Sequence, residues 1–127
     1  MGIKSELIEN FDGEVVEDFI DHLEVMSGVM EPNILAVSKD ASKLNELFRI
    51  FHNIKSASGF LQLSGMNKVA HLAEEILDEA KDDLIPADKS LIDWLLLVSD
   101  QFGKWSDELS LNAPGLSPID RRILQLP

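Results

Sequence analysis

Hydrophobic residues recur along most of this chain at steps of three and four, the spacing of one face of an α-helix. The pattern predicts four helices, and no segment keeps the strict alternation that marks a β-strand. Gly28 and Pro32 indicate the end of the first helix, and Ser64 is the predicted N-cap of the third. The first three predicted helices cover roughly residues 12–30, 41–61 and 64–83. The fourth begins at residues 86–88 and extends to about residue 109.

The connections between these segments are short, and short links between amphipathic helices favour antiparallel neighbours. We therefore expect an all-α fold, an antiparallel up-down four-helix bundle. It forms one domain over residues 1–127, with the core bundle at about residues 12–110. Residues 111–116 are a predicted linker. Residues 117–125 are candidates for a short fifth helix, in which Ile119, Ile123 and Leu124 dock on the bundle.

The composition narrows the classes of partner and location. The chain has 23 acidic and 11 basic residues and a formal net charge of −12. This charge disfavours nucleic acid and an anionic membrane as partners. The absence of cysteine excludes disulfides, thiolate nucleophiles and cysteine-bound metals. The start, MGIKSELIENFDGEVV, lacks the apolar core of a signal peptide, so we expect a cytoplasmic protein.

The stretch LFRIFHNIKSASGF places a histidine, His52, at the edge of the apolar face of the second helix. At roughly 100° per residue, His52 is turned away from the buried Phe51 position, so its imidazole is expected in solvent. Glycine and serine are poor helix formers. Because their side chains are also small, their presence beside His52 indicates that a partner protein has room to approach the imidazole. The small residues of this predicted docking strip are Ser56, Ala57, Ser58 and Gly59.

Lys55 lies one turn beyond His52, where its ammonium group reaches an anion held on the imidazole. A neutral imidazole is a good nucleophile near pH 7, and phosphoryl transfer needs a free ring nitrogen, nearby positive charge and open access. The other ring nitrogen needs an acceptor. Glu74, at the margin of the apolar face of the third helix, is the candidate, and His71 lies one turn earlier, further toward solvent. These residues favour phosphoryl acceptance by His52.

The phrase HNIKSASGF, which begins at His52, resembles the signature of histidine phosphotransfer (HPt) domains, where His-x-x-Lys-Gly precedes small residues. The resemblance is closest to the amino-terminal phosphotransfer domains of CheA chemotaxis kinases. There Phe-Arg-x-x precedes the histidine and His-x-x-Glu follows on the next helix, as in FRIF and HLAE here. The likeness spans roughly residues 10–110. Ser56-Ala57 departs from the Gly-Gly of the family, although both residues are small.

The resemblance implies a helical bundle whose activity depends on one phosphorylated histidine, here His52. It implies that Lys55 supports the phosphoryl group, that Glu74 accepts a hydrogen bond from the imidazole, and that His71 is an auxiliary neighbour. It also implies two partners: the ATP-binding domain of a histidine kinase and the receiver domain of a response regulator. The chain has no P-loop or other glycine-rich phosphate loop. We therefore expect ATP and Mg²⁺ on partner domains, no cofactor in this domain, and an incomplete enzyme.

Other interpretations stay open at this level. A domain of a CheA-like kinase is expected, but a free-standing phosphorelay protein carries the same motif. A helical adaptor without phosphoryl chemistry also explains an exposed strip. Glu74 lies in an acidic run typical of a solvated surface, and His22 is expected to be structural or on the surface. His71-x-x-Glu74 reverses the Glu-x-x-His order of di-iron bundles, so no metal site is expected.

Overall fold

The structure, a computed structural model, describes all 127 residues and consists of helices without any β-strand. The four helices that the hydrophobic pattern predicts are all present, as α2 to α5, which confirms the all-α four-helix bundle. A further short helix precedes them, and one turn of 3-10 helix follows at Arg121–Leu124. The α-helices are α1 (Ile3–Asn10), α2 (Gly13–Ala36), α3 (Lys43–Phe60), α4 (Ser64–Lys81) and α5 (Lys89–Ser110).

The direction of neighbouring helices follows from the residues that meet. Phe48, early in α3, lies under Lys81 at the end of α4, and Gly59, late in α3, lies beside Asn67 near the start of α4. These two helices therefore run antiparallel, joined by residues 61–63. The other long pair, α2 and α5, packs together on the far side of the bundle, and α2 also packs on α3. The result is the predicted up-down arrangement.

Aromatic side chains fill the centre of the core. Phe102 lies between Phe51 and Trp105, at centroid distances of 5.8 and 5.3 Å, and all three are buried. Aromatic pairs at such distances contribute about 0.5–1.5 kcal/mol beyond their area burial. The indole N–H of Trp105 donates to the carbonyl of Ser117 at 2.8 Å, and Ile119 packs against the same core. The core therefore also holds the C-terminal tail.

Helix α2 runs past both residues that were expected to end it, so that part of the prediction is wrong. Pro32 lacks the N–H that would bond to the carbonyl of Gly28, and both residues are exposed, so the carbonyl is open to water. A proline in a helix interior costs about 3 kcal/mol. Continuing the chain in this direction buries Ile34 and Val37, at about 1.5–3 kcal/mol each. Burial therefore offsets the proline.

Helix α1 was not predicted because it buries only Leu7 and so carries no apolar stripe. It is held by distant residues instead. The backbone N–H of Ser5 donates to Oδ1 of Asn112 at 3.1 Å, and Nδ2 of Asn112 donates to Oγ of Ser5 at 2.9 Å. A Cβ at Gly2 would overlap the carbonyl oxygen of Asn112, so this approach requires glycine. Contacts between residues so far apart in the sequence do not produce a local hydrophobic pattern, so the sequence analysis could not detect them.

The C-terminal tail forms a single helical turn where residues 117–125 were expected to be helical. Ile123 is fully buried, and its carbonyl accepts from the indole N–H of Trp94 at 2.8 Å. Leu124 is 48% exposed and does not dock as expected. Hydrogen bonds from the guanidinium and backbone N–H of Arg122 lower the pKa of Asp120 to about 2. The tail is thus fixed by particular bonds and one buried side chain.

The starts of α4 and α5 differ from the predicted positions by one or a few residues. Ser64 is the first residue of α4, not its cap, and Leu63 takes the cap position with no side-chain hydrogen bond. The predicted cap is therefore wrong. Helix α5 begins at Lys89, just after the predicted start at residues 86–88, and Asp88 is its N-cap, since the Asp88 carboxylate accepts from the backbone N–H of Leu91 at 3.3 Å.

Candidate functional site

His52 lies at the outer edge of α3, on the side that faces α4. Its side chain is 52% exposed, in agreement with its place on the helical wheel, while Phe51 and Ile54 are fully buried. The ring of Phe48, one turn earlier, is nearly parallel to the imidazole, with an interplanar angle of 10° and a centroid distance of 6.2 Å. The imidazole is therefore supported by an apolar ring and open to solvent.

Glu74 reaches across from α4 to the imidazole. Its Oε1 lies 3.4 Å from Nδ1 of His52, a long hydrogen bond, and its side chain is only 15% exposed. An ionised carboxylate can only accept, so this contact favours the tautomer with the proton on Nδ1. The other ring nitrogen, Nε2, then carries a lone pair and makes no hydrogen bond with the rest of the chain.

Lys55 places a positive charge on the same carboxylate. Its Nζ lies 3.1 Å from Oε1 and 2.9 Å from Oε2 of Glu74. Only the contact with Oε1 has hydrogen-bond geometry. The buried Oε2 accepts no hydrogen bond and is attracted only by the positive charge of Lys55. We call His52, Lys55 and Glu74 the His52 cluster. Because the imidazole and the ammonium group share one oxygen, the cation lies beside the His52 ring.

The charge state of Glu74 follows from opposing effects. Partial burial by itself raises the pKa of Glu74, because a less polar surrounding disfavours the charged form. Hydrogen bonds and positive charge from Lys55 and His52 act in the opposite direction and outweigh burial, so the pKa of Glu74 lies below its usual value. Glu74 is therefore ionised at neutral pH and available as an acceptor.

The small residues after His52 are divided between the surface and the core. Ser56 and Gly59 are exposed on the side of the imidazole, and Ala57 is half-buried. Ser58 is fully buried, and its Oγ donates to the carbonyl of Ile54 at 2.6 Å. The prediction that Ser58 belongs to the docking strip is therefore wrong, because a partner cannot reach it.

His71 is exposed on α4 but does not join the His52 cluster. Its Nε2 lies 2.9 Å from Oε1 of Glu75, one turn later, and it makes no hydrogen bond with His52 or Glu74. This geometry gives no support to the auxiliary role predicted for His71. His22 is exposed as well, and its Nδ1 lies 3.0 Å from a carbonyl of its own helix.

Two residues beside the His52 cluster were missed in the sequence. Nδ2 of Asn67 donates to the backbone carbonyl of Lys55 at 2.8 Å, and Nζ of Lys81 lies 4.2 Å from the centroid of the Phe48 ring. A signal for both was present. Asn67 and Lys81 stand seven residues before and after Glu74, and residues seven apart lie on one face of a helix.

No group of three or more histidine, cysteine or acidic residues in the chain is arranged to hold a metal ion. None of the helices has the length and apolar character needed to cross a membrane. The His52 cluster itself presents an oriented imidazole with one free nitrogen, next to a cation and an ionised carboxylate.

Known proteins resemble the part of the chain that contains this cluster. The family model of the Hpt domain matches residues 14–110. The chemotaxis protein CheA of Treponema pallidum is 24% identical over 99 residues, which cover 76% of this chain and 12% of that protein. CheA of Salmonella typhimurium is 30% identical over 87 residues, 66% of this chain and 13% of that protein.

A third relative, the sensor histidine kinase CheAY of Helicobacter pylori, is 28% identical over 86 residues. These residues cover 65% of this chain and 11% of that protein. The chain thus spans between 11% and 13% of the length of these three curated relatives. No solved structure matches the chain significantly.

Proposed function

The chain belongs to the Hpt domain family and is related to CheA proteins, and from this premise we propose that His52 is its phosphoryl acceptor. The phosphoryl group comes from ATP held by a histidine kinase domain. It passes on to an aspartate in the receiver domain of a response regulator. Because the matched relatives are named CheA and CheAY, the proposal places this chain in a CheA-like chemotaxis kinase. Its cytoplasmic location stays a prediction.

In the first step, the lone pair on Nε2 of His52 attacks the γ-phosphorus of ATP. The N–P bond forms as the bond from that phosphorus to the bridging oxygen breaks, and ADP leaves. Positive charge develops on the ring during this attack, and the ionised Glu74 stabilises it through the Nδ1–H group. The partner domain supplies ATP and Mg²⁺, and this chain supplies the nucleophile.

Lys55 contributes positive charge where the phosphoryl group arrives. An ammonium group has three N–H donors, so one of them can stay on Glu74 while another faces the phosphoryl oxygens. The side chain is 26% exposed, so Lys55 is partly accessible to a partner from the solvent side. Lys55 thus orients Glu74 before the reaction and stabilises negative charge during it.

In the second step, an aspartate oxygen of the receiver domain attacks the phosphorus. The N–P bond breaks, an acyl phosphate forms, and the lone pair returns to Nε2. The exposed Ser56 and Gly59 support this step, because neither side chain is large enough to block the approach of a folded partner to the imidazole. The half-buried Ala57 adds little bulk beside them.

The observation that carries the proposal is the half-exposed imidazole whose Nδ1 is bound to Glu74 and whose Nε2 is free. The test incubates the chain with labelled ATP and an active kinase domain of a CheA relative. His52→Gln is compared with His22→Gln, a control that removes an exposed histidine outside the cluster. We expect acid-labile, base-stable label in the wild type and in His22→Gln, and none in His52→Gln.

Label that persists in His52→Gln would refute the assignment of the acceptor. A wild type that takes no label from a kinase domain of verified activity would instead favour the helical adaptor. Lys55→Ala adds a second comparison, in which phosphorylation slows while the midpoint of thermal unfolding changes little. Equal losses of thermal stability and phosphorylation would make Lys55 a structural residue.

A further inference from the structure

The two helices of the site are joined by an amide that the proposed reaction does not use. Asn67, half-buried near the start of α4, donates through Nδ2 to the backbone carbonyl of Lys55 on α3 at 2.8 Å. The amides of Asn10 and Asn33, by contrast, each donate to a carbonyl of their own helix. The Asn67 amide crosses to the backbone of the helix that carries the nucleophile.

Lys55 is consequently held by α4 at both ends. Asn67 binds its carbonyl oxygen, and Glu74 binds its ammonium group. Each residue of a helix adds about 1.5 Å along the axis. A slide of α3 along α4 by that distance would take the amide of Asn67 out of hydrogen-bond geometry, since such bonds span only about 2.7–3.2 Å. The amide bond is therefore compatible with only one axial register of the two helices.

The contact between His52 and Glu74 depends on this register. At 3.4 Å, the distance from Nδ1 to Oε1 is already beyond the usual range for a hydrogen bond from nitrogen to oxygen. A small displacement of α3 against α4 that lengthens it releases the Nδ1 proton from Glu74. The ring is then free to exchange between its two tautomers, one of which has no lone pair on Nε2.

Gly59 leaves room for the amide of Asn67 to lie close to α3. A Cβ at residue 59 would lie 3.1 Å from Nδ2 of Asn67, closer than ordinary van der Waals contact. A side chain there would push the amide away from the carbonyl of Lys55. The last residue of the predicted docking strip thus also serves the α3–α4 interface.

We propose that Asn67 is a positioning residue of the phosphoryl-accepting site. Its amide fixes α3 against α4, keeps Nδ1 of His52 on Glu74 and so keeps Nε2 free for attack. The expected effect on phosphorylation rests on the proposed function. The effect on the tautomer does not, because it is a property of the unphosphorylated chain.

The test compares Asn67→Ala with Asn33→Ala. Asn33 is a matched control, because its Nδ2 donates at 2.8 Å to the carbonyl of Val29 within α2, far from the site in sequence. Long-range ¹H–¹⁵N NMR spectra report the tautomer of His52. We expect the Nδ1–H tautomer to dominate in the wild type and Asn33→Ala, and a mixture of tautomers in Asn67→Ala.

Phosphorylation of Asn67→Ala by an active kinase domain should slow about 2- to 10-fold, the rate equivalent of one neutral hydrogen bond. Asn67→Gln keeps the donor and should recover part of the rate and of the tautomer preference. An unchanged tautomer and rate in folded Asn67→Ala would overturn the inference, whatever the loss of thermal stability relative to Asn33→Ala. A tautomer shift without a change in rate would equally contradict a positioning role.

Gly59→Ala provides a variant that retains Asn67. It should shift the His52 tautomer in the same direction as Asn67→Ala, and it should add no further shift when the two substitutions are combined. If the tautomer shifts caused by the two substitutions add together in the double variant, Gly59 does not act through the amide of Asn67. If a verified kinase fails to phosphorylate the wild type, the proposed function fails, but the tautomer comparison still decides whether Asn67 keeps the His52 ring in the Nδ1–H tautomer.

Discussion

The two helix pairs of the bundle have similar apolar faces but use their polar groups differently. Between α3 and α4, polar side chains bond to one another across the interface, with Glu74 accepting from both His52 and Lys55. On α5, polar groups bond to the C-terminal tail instead, and the indole N–H groups of Trp94 and Trp105 both donate to its carbonyls. One pair leaves polar groups available to a partner, whereas the other uses them within the fold.

Exposure separates the two kinds of polar group. The side chain of His52 is 52% exposed, whereas Trp94 and Trp105 are 3% and 1% exposed. A buried donor must be satisfied inside the protein, because leaving it unpaired costs about 1–3 kcal/mol. An exposed ring nitrogen has no such requirement, since water satisfies it. The α3–α4 pair can therefore carry reactive groups, while the α2–α5 pair provides stability.

The largest expected effect tests the structural role of the α2–α5 pair. Trp105→Ala removes a buried ring that packs on Phe102 and also removes a hydrogen bond to the tail. The free energy of unfolding, measured by chemical denaturation, should fall by about 3–5 kcal/mol. At a temperature where the variant is folded, the His52 tautomer should be that of the wild type.

The control for this experiment is Leu111→Ala, since Leu111 is 80% exposed and its substitution should leave the free energy of unfolding nearly unchanged. A loss of less than about 1 kcal/mol in Trp105→Ala would be too small for a core aromatic residue. A changed His52 tautomer in the folded variant would show that the two helix pairs are not independent.

The next effect concerns the α3–α4 pair. Glu74→Gln keeps the size of the side chain but removes its charge, so the imidazole loses its ionised acceptor and Lys55 loses its ion pair. Hydrogen bonds to charged groups contribute about 1.5–3 kcal/mol, so phosphorylation should slow about 10- to 100-fold. Single-turnover labelling measures this rate. A rate within about twofold of the wild type would mean that the Glu74 carboxylate does not assist the reaction.

A smaller effect appears in the dependence of stability on pH. The pKa of Glu74 in the folded chain lies below its ordinary value of 4.5, so its ionised form stabilises the fold above that pH. This contribution is lost as the pH falls through the folded pKa, because the carboxylate becomes protonated. Glu74→Gln has no such contribution at any pH.

Denaturation of both proteins from neutral pH to about pH 3 measures this difference. The wild type should be the more stable protein at neutral pH, and the difference should shrink on acidification. A difference that stays constant, or grows, would contradict a lowered pKa for Glu74.

The smallest effect separates the buried and exposed parts of the small-residue strip. Ser58→Ala removes an internal hydrogen bond and should change the free energy of unfolding by about 1 kcal/mol or less. Transfer from phosphorylated His52 to a receiver domain should not change. Ser56→Trp places bulk on the exposed side and should slow transfer without a loss of stability. Slower transfer in Ser58→Ala would restore Ser58 to the docking surface.

Much of this fold was predictable because it depends on local periodicity. The apolar stripes located α2 to α5, and the wheel position of His52 indicated its exposure. The end of α2 was not predictable in this way, because the cost of Pro32 is offset by burial of Ile34 and Val37 against other helices. Helix α1 depends in the same way on distant contacts with Asn112.

In the site as well, some residues were predictable from local patterns, and others depend on contacts between helices. Its histidine, lysine and glutamate carry a motif and lie at the margins of apolar faces, so the sequence pointed to His52, Lys55 and Glu74. Asn67 carries no motif, and its bond to the Lys55 carbonyl depends on how two helices are placed against each other. Ser58 was misplaced because it was counted with the exposed small residues, although its position also belongs to the buried stripe.

The most direct test of the central claim identifies the ring nitrogen that carries phosphorus after reaction with ATP and an active kinase domain. NMR of the phosphorylated, ¹⁵N-labelled chain distinguishes the two nitrogens of His52. Because Nδ1 is bound to Glu74 and Nε2 is free, we predict phosphorus on Nε2. Phosphorus on Nδ1, or on a different histidine, would contradict the account.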